Sequence, residues 1–466
     1  MNYRTLLLLT IVAALIFHTF VSSEEVEEFM AGTTTPSTGI GNDAEPPLFH
    51  KDLTYWGAIL WHRHFDDAIY STLGLSTPAE LAFAGTYYIS PVQVEAIPLL
   101  GNGTEDWTFP GTKPLVDVSR NGEVLAAVDH DDSDSTAIIL EWRPDSPTPL
   151  WSYEVYPCRT LVWQGWASRK PVQVSDDGST IAVTTNMYWP EGQRGRLYVF
   201  DAGNGVPVVE YDLPEPAGNI TASAISSGGE FVAMVAWPNV YVYDCIGQTL
   251  RWSGALPAGN DALAISGDGQ YLAWGWSTFY LREWTGSSYD LLWSHSPGSG
   301  YYVGQCALTT DGTALAVSFD NGSSYPNEIT LDLYELPSLN LIWQYDYESL
   351  TSNLPHFMNS QLDDPLGQHV DIPSQMCFSP DGERLAVASW GGSFPEIHIF
   401  DRSEPEPLLV YDTPGSMFDI DIITSDIGDT YVAACGKDVH AGQGGRGGDF
   451  YAIRISGYLS TPDEDR

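Results

Sequence analysis

Short apolar stretches separated by polar turns run from about residue 51 to residue 457, and one phrase recurs within them. Val118-Ser119-Arg120-Asn121-Gly122-Glu123-Val124-Leu125-Ala126 returns as Val174-Ser175-Asp176-Asp177-Gly178-Ser179-Thr180-Ile181-Ala182. It comes back as Ile265-Ser266-Gly267-Asp268-Gly269-Gln270-Tyr271-Leu272-Ala273 and as Phe378-Ser379-Pro380-Asp381-Gly382-Glu383-Arg384-Leu385-Ala386. Each copy reads as an apolar strand, a tight turn whose Gly accepts positive φ, and a second apolar strand. Recurrence every ~40–55 residues predicts an all-β fold, a single β-propeller.

Two landmarks count the blades independently. Turns between the first two strands of a unit fall at Ala79, Gly122, Gly178, Gly229, Gly269, Gly312, Gly382 and, with a one-residue irregularity, Gly428. A Trp or aliphatic residue marks each last strand: Trp61, Trp107, Trp151, Val209, Trp252, Trp293, Trp343 and Leu409. Both landmarks predict eight four-stranded blades, or seven if the Ser76-Thr77-Pro78-Ala79 turn does not mark one. A Trp repeated at one position is expected to pack between neighbouring blades. The chain opens on a last-strand landmark and closes on a third strand, Phe450 to Ile455. The segment from Gly57 to His64 is therefore expected to complete the C-terminal blade and seal the ring.

A second phrase occupies the third and fourth strands. Leu197-Tyr198-Val199-Phe200-Asp201-Ala202-Gly203 leads to the strand at Val208, and Val240-Tyr241-Val242-Tyr243-Asp244-Cys245-Ile246-Gly247 leads to Trp252. This resembles the repeats of the PQQ-like, quinoprotein-like propeller superfamily, in which a strand ends in Asp, turns on Gly and enters a strand bearing a docking Trp. Ser379-Pro380-Asp381-Gly382-Glu383-Arg384-Leu385-Ala386 is similar to WD40 repeats. The resemblance covers roughly residues 51–457 and implies a fold, since propellers host many unrelated activities. It does not extend to quinoprotein dehydrogenase chemistry, whose adjacent Cys-Cys pair is missing from this chain.

Outside the repeats, Arg4 followed by the apolar stretch from Thr5 to Val21, with small residues at Val21 and Ser23, reads as a signal peptide over 1–23. Residues 24–50, acidic and then Thr/Pro/Gly/Ser-rich, read as a disordered linker. Residues 458–466 form a C-terminal tail. The expected location is therefore secreted, extracellular or periplasmic, with no membrane insertion once the leader is cleaved.

Net charge is −42, from 61 acidic residues against 19 Lys plus Arg. Such a field disfavours nucleic acid and anionic membrane and suits cations or basic proteins. Five cysteines, odd in number, widely spaced and mostly in strands, read as small core hydrophobes, although one bridge stays open.

Strands that run up and down place connections on alternate faces. The short regular turns share one face. Second-to-third connections and blade-to-blade links share the other, which is long-looped and aromatic. Its binding candidates are Tyr87, Tyr88, Trp163, Trp166, Tyr188, Trp189, His356, Phe357 and Trp390. Rigid scaffolds commonly carry function on such loops. Asp129, Asp131, Asp132 and Asp134 crowd carboxylates that suit Ca²⁺, without the EF-hand pattern. His62 and His64 share one side of the closing strand, away from Arg63, and an edge role is expected for them. Gly442-Gln443-Gly444-Gly445-Arg446-Gly447 satisfies a dinucleotide fingerprint literally but joins two strands. Asn102, Asn219 and Asn321 head glycosylation sequons that apply in a eukaryotic secretory pathway.

No signature of a hydrolase, zinc protease or redox dithiol occurs. The expectation is a non-catalytic protein- or glycan-binding or assembly module, with self-association open and no cofactor beyond the Ca²⁺ candidate. Two alternatives are a subunit of an extracellular surface layer or filament, and a metal- or cofactor-dependent enzyme of the lactonase or dehydrogenase kind.

Overall fold

The computed structural model describes residues 55–66, 68–76, 81–88, 92–131, 135–158, 170–189, 192–256, 262–321, 328–347, 373–390, 395–425, 428–440 and 447–457. These form eight four-stranded antiparallel sheets, each made of strands consecutive in sequence except the last. Blade 1 comprises Ala68–Ser76, Leu81–Tyr88, Gln93–Pro98 and Trp107–Pro110. Blades 2 to 7 span 114–155, 172–212, 220–255, 262–295, 301–346 and 373–411. Blade 8 joins Met417–Thr424, Thr430–Lys437 and Gly448–Gly457 to the N-terminal strand Tyr55–Phe65.

That closure is the predicted one. Gly57 faces Ile455 and His64 faces Asp449 across an antiparallel ladder. The fold is thus an eight-bladed propeller. The seven-blade alternative fails because Ala68–Ser76 and Leu81–Tyr88 pair as the inner strands of a true blade. The Ala79 turn itself lies outside the described residues, as do residues 1–50 and 458–466.

Each blade grades from a dry inner edge to a wet outer one. In blade 5 every residue of Ala262–Ile265 and Tyr271–Gly275 is buried, whereas most of Tyr289–His295 is not. Apolar side chains on both faces of a sheet must find cover, and stacking the sheets radially provides it. The buried apolar residues accordingly fall into eight clusters, one at each junction between adjacent blades.

The last-strand Trp residues sit in those junctions. Trp61 Nε1 donates to Pro98 O and Leu99 O of blade 1, Trp107 Nε1 to Pro144 O of blade 2, and Trp343 Nε1 to Arg402 O of blade 7. A buried indole N–H needs such a partner, and the following blade's third-to-fourth turn supplies it. Trp151 does the same through an intermediary: it donates to Glu141, whose carboxylate also accepts Gly203 N of blade 3.

Inner strands of adjacent blades converge on the axis and are joined through side chains. Thr72 Oγ1 accepts Val116 N, Asp117 Oδ2 accepts Val174 N, and Ser374 Oγ donates to Met417 O. Across the closing seam, Asp419 and Asp421 accept Leu73 N and Leu75 N.

Candidate functional site

The short-turn face spends its polar groups on itself. In blades 2 to 7 the Ser or Thr that opens the turn accepts the amide five residues on, as in Ser226 Oγ with Phe231 N and Thr309 Oγ1 with Ala314 N, at 2.9 and 3.0 Å, whereas in blade 8 Ser425 Oγ accepts Asp429 N, four residues on. Successive turns are laced together by Asp176 N to Ser227 O, Ser227 N to Gly267 O and Gly267 N to Thr310 O. Groups consumed in this way are not offered to a ligand.

The loop-rich face is built differently. Tyr87 and Tyr88 end the second strand of blade 1, and Tyr188 and Trp189 end that of blade 3, so both pairs arrive on this face. Trp163, Trp166, His356 and Phe357 lie outside the described residues. Trp390 is there too, but as packing. It is 9% exposed, stacks on Phe418 at 5.0 Å and carries the Lys437 ammonium 5.0 Å from its ring centroid. Its expected role as an open binding residue is corrected accordingly: residues of blade 8 cover it.

The acidic loop is likewise partly committed. Both oxygens of Asp129 accept Thr112 N, and Oδ1 also accepts Lys113 N, which pins the link into blade 2. Asp131 ends its strand opposite Thr136, while Asp132 and Asp134 fall outside the described residues. Among the described residues no three His, Cys, Asp or Glu side chains converge as a metal site. Asn102 is exposed on the short-turn face, whereas Asn219 and Asn321 are half-buried. All five cysteines are free thiols, and burial pushes Cys158 and Cys245 up to about 12.

Sequence reasoning missed other aromatics on this face. Trp237, 62% exposed, heads the second-to-third connection of blade 4, and Tyr156, 67% exposed, opens the link into blade 3. Trp276 meets Tyr302 at 5.1 Å across blades 5 and 6, and Tyr302 is 39% exposed. The available signal was a Trp between two apolar runs, out of phase with the last-strand Trp series.

The same face gathers titratable groups where the ring closes. His62 Nε2 and His64 Nδ1 stand 2.7 and 3.0 Å from Asp449 Oδ1, on the side of the strand opposite Arg63, which pairs with Glu105. The hydrogen bond to Asp449 raises His64 to about 9 against the opposing effect of burial. Burial disfavours the Asp449 anion, yet the hydrogen bonds from His62 and His64 hold its carboxyl below the usual range. Nearby, Glu396 accepts Thr413 N at 2.7 Å and lies 3.3 Å from His440 Nδ1. Burial, then Asp412, pushes Glu396 well up, and burial lowers the Lys437 amine to about 8. These side chains hold charge and hydrogen-bonding capacity in place.

No protein-family model and no curated protein matches the chain. Solved structures do match in fold. Sqt1 of Saccharomyces cerevisiae aligns over 86% of this chain and 98% of its own, with TM-score 0.57 and 10% identity. Chaetomium thermophilum Sqt1, solved bound to the N-terminus of the ribosomal protein L10, aligns over 83% and 96%, with TM-score 0.54 and 13% identity. The fold is that of an eight-bladed WD40-like β-propeller. The quinoprotein-like resemblance stays with the repeat phrases alone.

Proposed function

We propose that this chain is an exported, non-catalytic propeller that binds a protein partner through its loop-rich face. One observation carries the reading. The three exposed aromatic side chains among the described residues, Tyr156, Trp237 and Tyr302, all lie on that face. Of the exposed aliphatics, Leu100, Leu150, Val206 and Ile246 lie on third-to-fourth turns of the other, and Ile138, Leu291, Leu341 and Ile342 on third or fourth strands. Aromatic anchors give large contact area for little conformational entropy and dominate interface energetics. The net charge of −42 favours a basic partner, whose approach it would accelerate. A propeller of this fold has been solved holding a protein's N-terminus, as the Chaetomium Sqt1 structure records, and we carry over protein binding without that ligand.

The test probes purified protein in parallel with a displayed random-peptide library and a glycan array. Basic, peptide-selective hits weakened at least tenfold by Trp237→Ala or Tyr302→Ala, and unmoved by Leu150→Ala plus Ile246→Ala, would support the proposal. Glycan hits alone, or peptides lost only with the aliphatic pair, would reject it. Export is tested by N-terminal sequencing of the mature protein, expected to begin at Glu24.

A further inference from the structure

We propose that the central channel holds a binding site for a small aliphatic amine, independent of the loop-rich face. The inner-strand ends of blades 2 to 8 and their turns line a half-open cavity of about 250 Å³. Its walls are unlike one another. Blades 8, 2 and 3 present Asp421, Asp117, Arg120, Lys170 and Asp176, whereas blades 4 to 7 present mainly small or aliphatic side chains such as Ala224, Ile225, Ala307 and Leu308.

The charged wall favours a cation. It carries three carboxylates against two cations, and both cations are already engaged. The Lys170 ammonium is held by Leu73 O at 2.8 Å and Asp419 Oδ2 at 3.0 Å. Arg120 Nη1 is held by Asp421 Oδ1 at 2.5 Å and Ile422 O at 3.3 Å. Acceptors remain. Gln173 gives its Nε2 to Ser223 O, but its Oε1 is buried with no hydrogen-bond partner. Asp117 Oδ2 takes Val174 N, yet its Oδ1 stands 3.7 Å from Lys170, beyond a good hydrogen bond. Burial outweighs the attraction of Lys170 and lifts the Asp117 carboxyl to about 6, the behaviour of a carboxylate short of compensation.

An ammonium brings three donors and a positive charge to those acceptors, and its carbon chain fits the aliphatic wall. A cavity with a polar wall facing an aliphatic one offers surface to both halves of such a ligand. The acidic exterior would concentrate such cations at the channel mouth.

Isothermal titration of the purified protein with 1,4-diaminobutane tests this, with 1,4-butanediol as the uncharged match. The diamine is expected to bind and the diol not to, with Asp117→Asn weakening the diamine at least tenfold. Ala224→Leu fills the cavity while leaving every charge in place, and is expected to abolish binding. Leu308→Phe serves the same purpose if the first variant melts early. Equal binding by diamine and diol, no binding by the parent protein, or unchanged binding in a folded, filled variant would each overturn the proposal. The last result would place the amine on the acidic surface.

Discussion

Lys170 Nζ lies 3.0 Å from Asp419 Oδ2, although the two residues belong to the threshold of blade 3 and the inner strand of blade 8. The side chains are only 15% and 4% exposed. With Leu73 O and Asp117 also around its ammonium, Lys170 spans blades 1, 2, 3 and 8 beside the axis. Lys170→Met leaves Asp419 and Asp117 without their cation and should cost about 3–5 kcal/mol. The double variant Lys170→Met/Asp419→Leu should cost clearly less than the two single losses combined, as read by urea denaturation. Additive losses would mean that the contact does no work in the folded ring.

The seam of the ring makes a second case. Trp61 is 6% exposed, stacks on Phe450 at 5.2 Å and donates to two carbonyls of blade 1. Trp61→Ala is expected to destabilise by about 3–5 kcal/mol through the cavity left behind. Removing residues 55–65 altogether bares the edge of Gly448–Gly457 and should produce self-association, visible by light scattering. A monomer as stable as the parent would refute the closure argument.

Two histidines predict opposite pH limbs. His64, ordinarily near 6.5, sits at about 9 when folded, chiefly through its hydrogen bond to Asp449. Its contribution is therefore complete below pH 6.5 and fades as pH rises through 9. The melting temperature should fall over that window, and His64→Gln should flatten the fall. His398 is the reverse. Burial among Tyr345, Tyr347 and Phe400 holds it neutral and lowers it to about 3. Its contribution is complete above pH 6.5 and is lost as pH drops toward 3, so His398→Phe should resist acid better than the parent.

Turn glycines separate local strain from packing between blades. Gly229 has φ 74°, and a Cβ there would lie 2.4 Å from Thr180 of the preceding blade. Gly286 has φ 92° with nothing within 4 Å of such a Cβ. Gly286→Ala should cost only the left-handed penalty of about 1–2 kcal/mol, and Gly229→Ala measurably more. Equal melting shifts would show that the blade-to-blade contact yields freely.

The architecture was legible because its signals are local. The recurrent Ser-x-Asp-Gly turn contains its own hydrogen bonds, such as Ser266 Oγ to Asp268 and Tyr271 N to Ser266 Oγ. The Trp series marks one strand of each blade, and the order of landmarks along the chain predicts the pairing of its two ends. Neither reading needs a partner from elsewhere to be recognised.

The binding face was legible only in outline. Trp390 and Trp237 both occupy second-to-third connections, and nothing in their neighbouring residues separates them. Phe418 and Lys437, from the next blade, cover the first, and the second stands in solvent. Burial is a property of what arrives from remote segments, so composition and spacing can place an aromatic on a face without saying whether it is open. The same holds for Lys170 with Asp419 and for His62 and His64 with Asp449. Local pattern determined the number of blades, their turns and their closure; only the packing of distant strands decided which charges meet at the axis and which rings remain free.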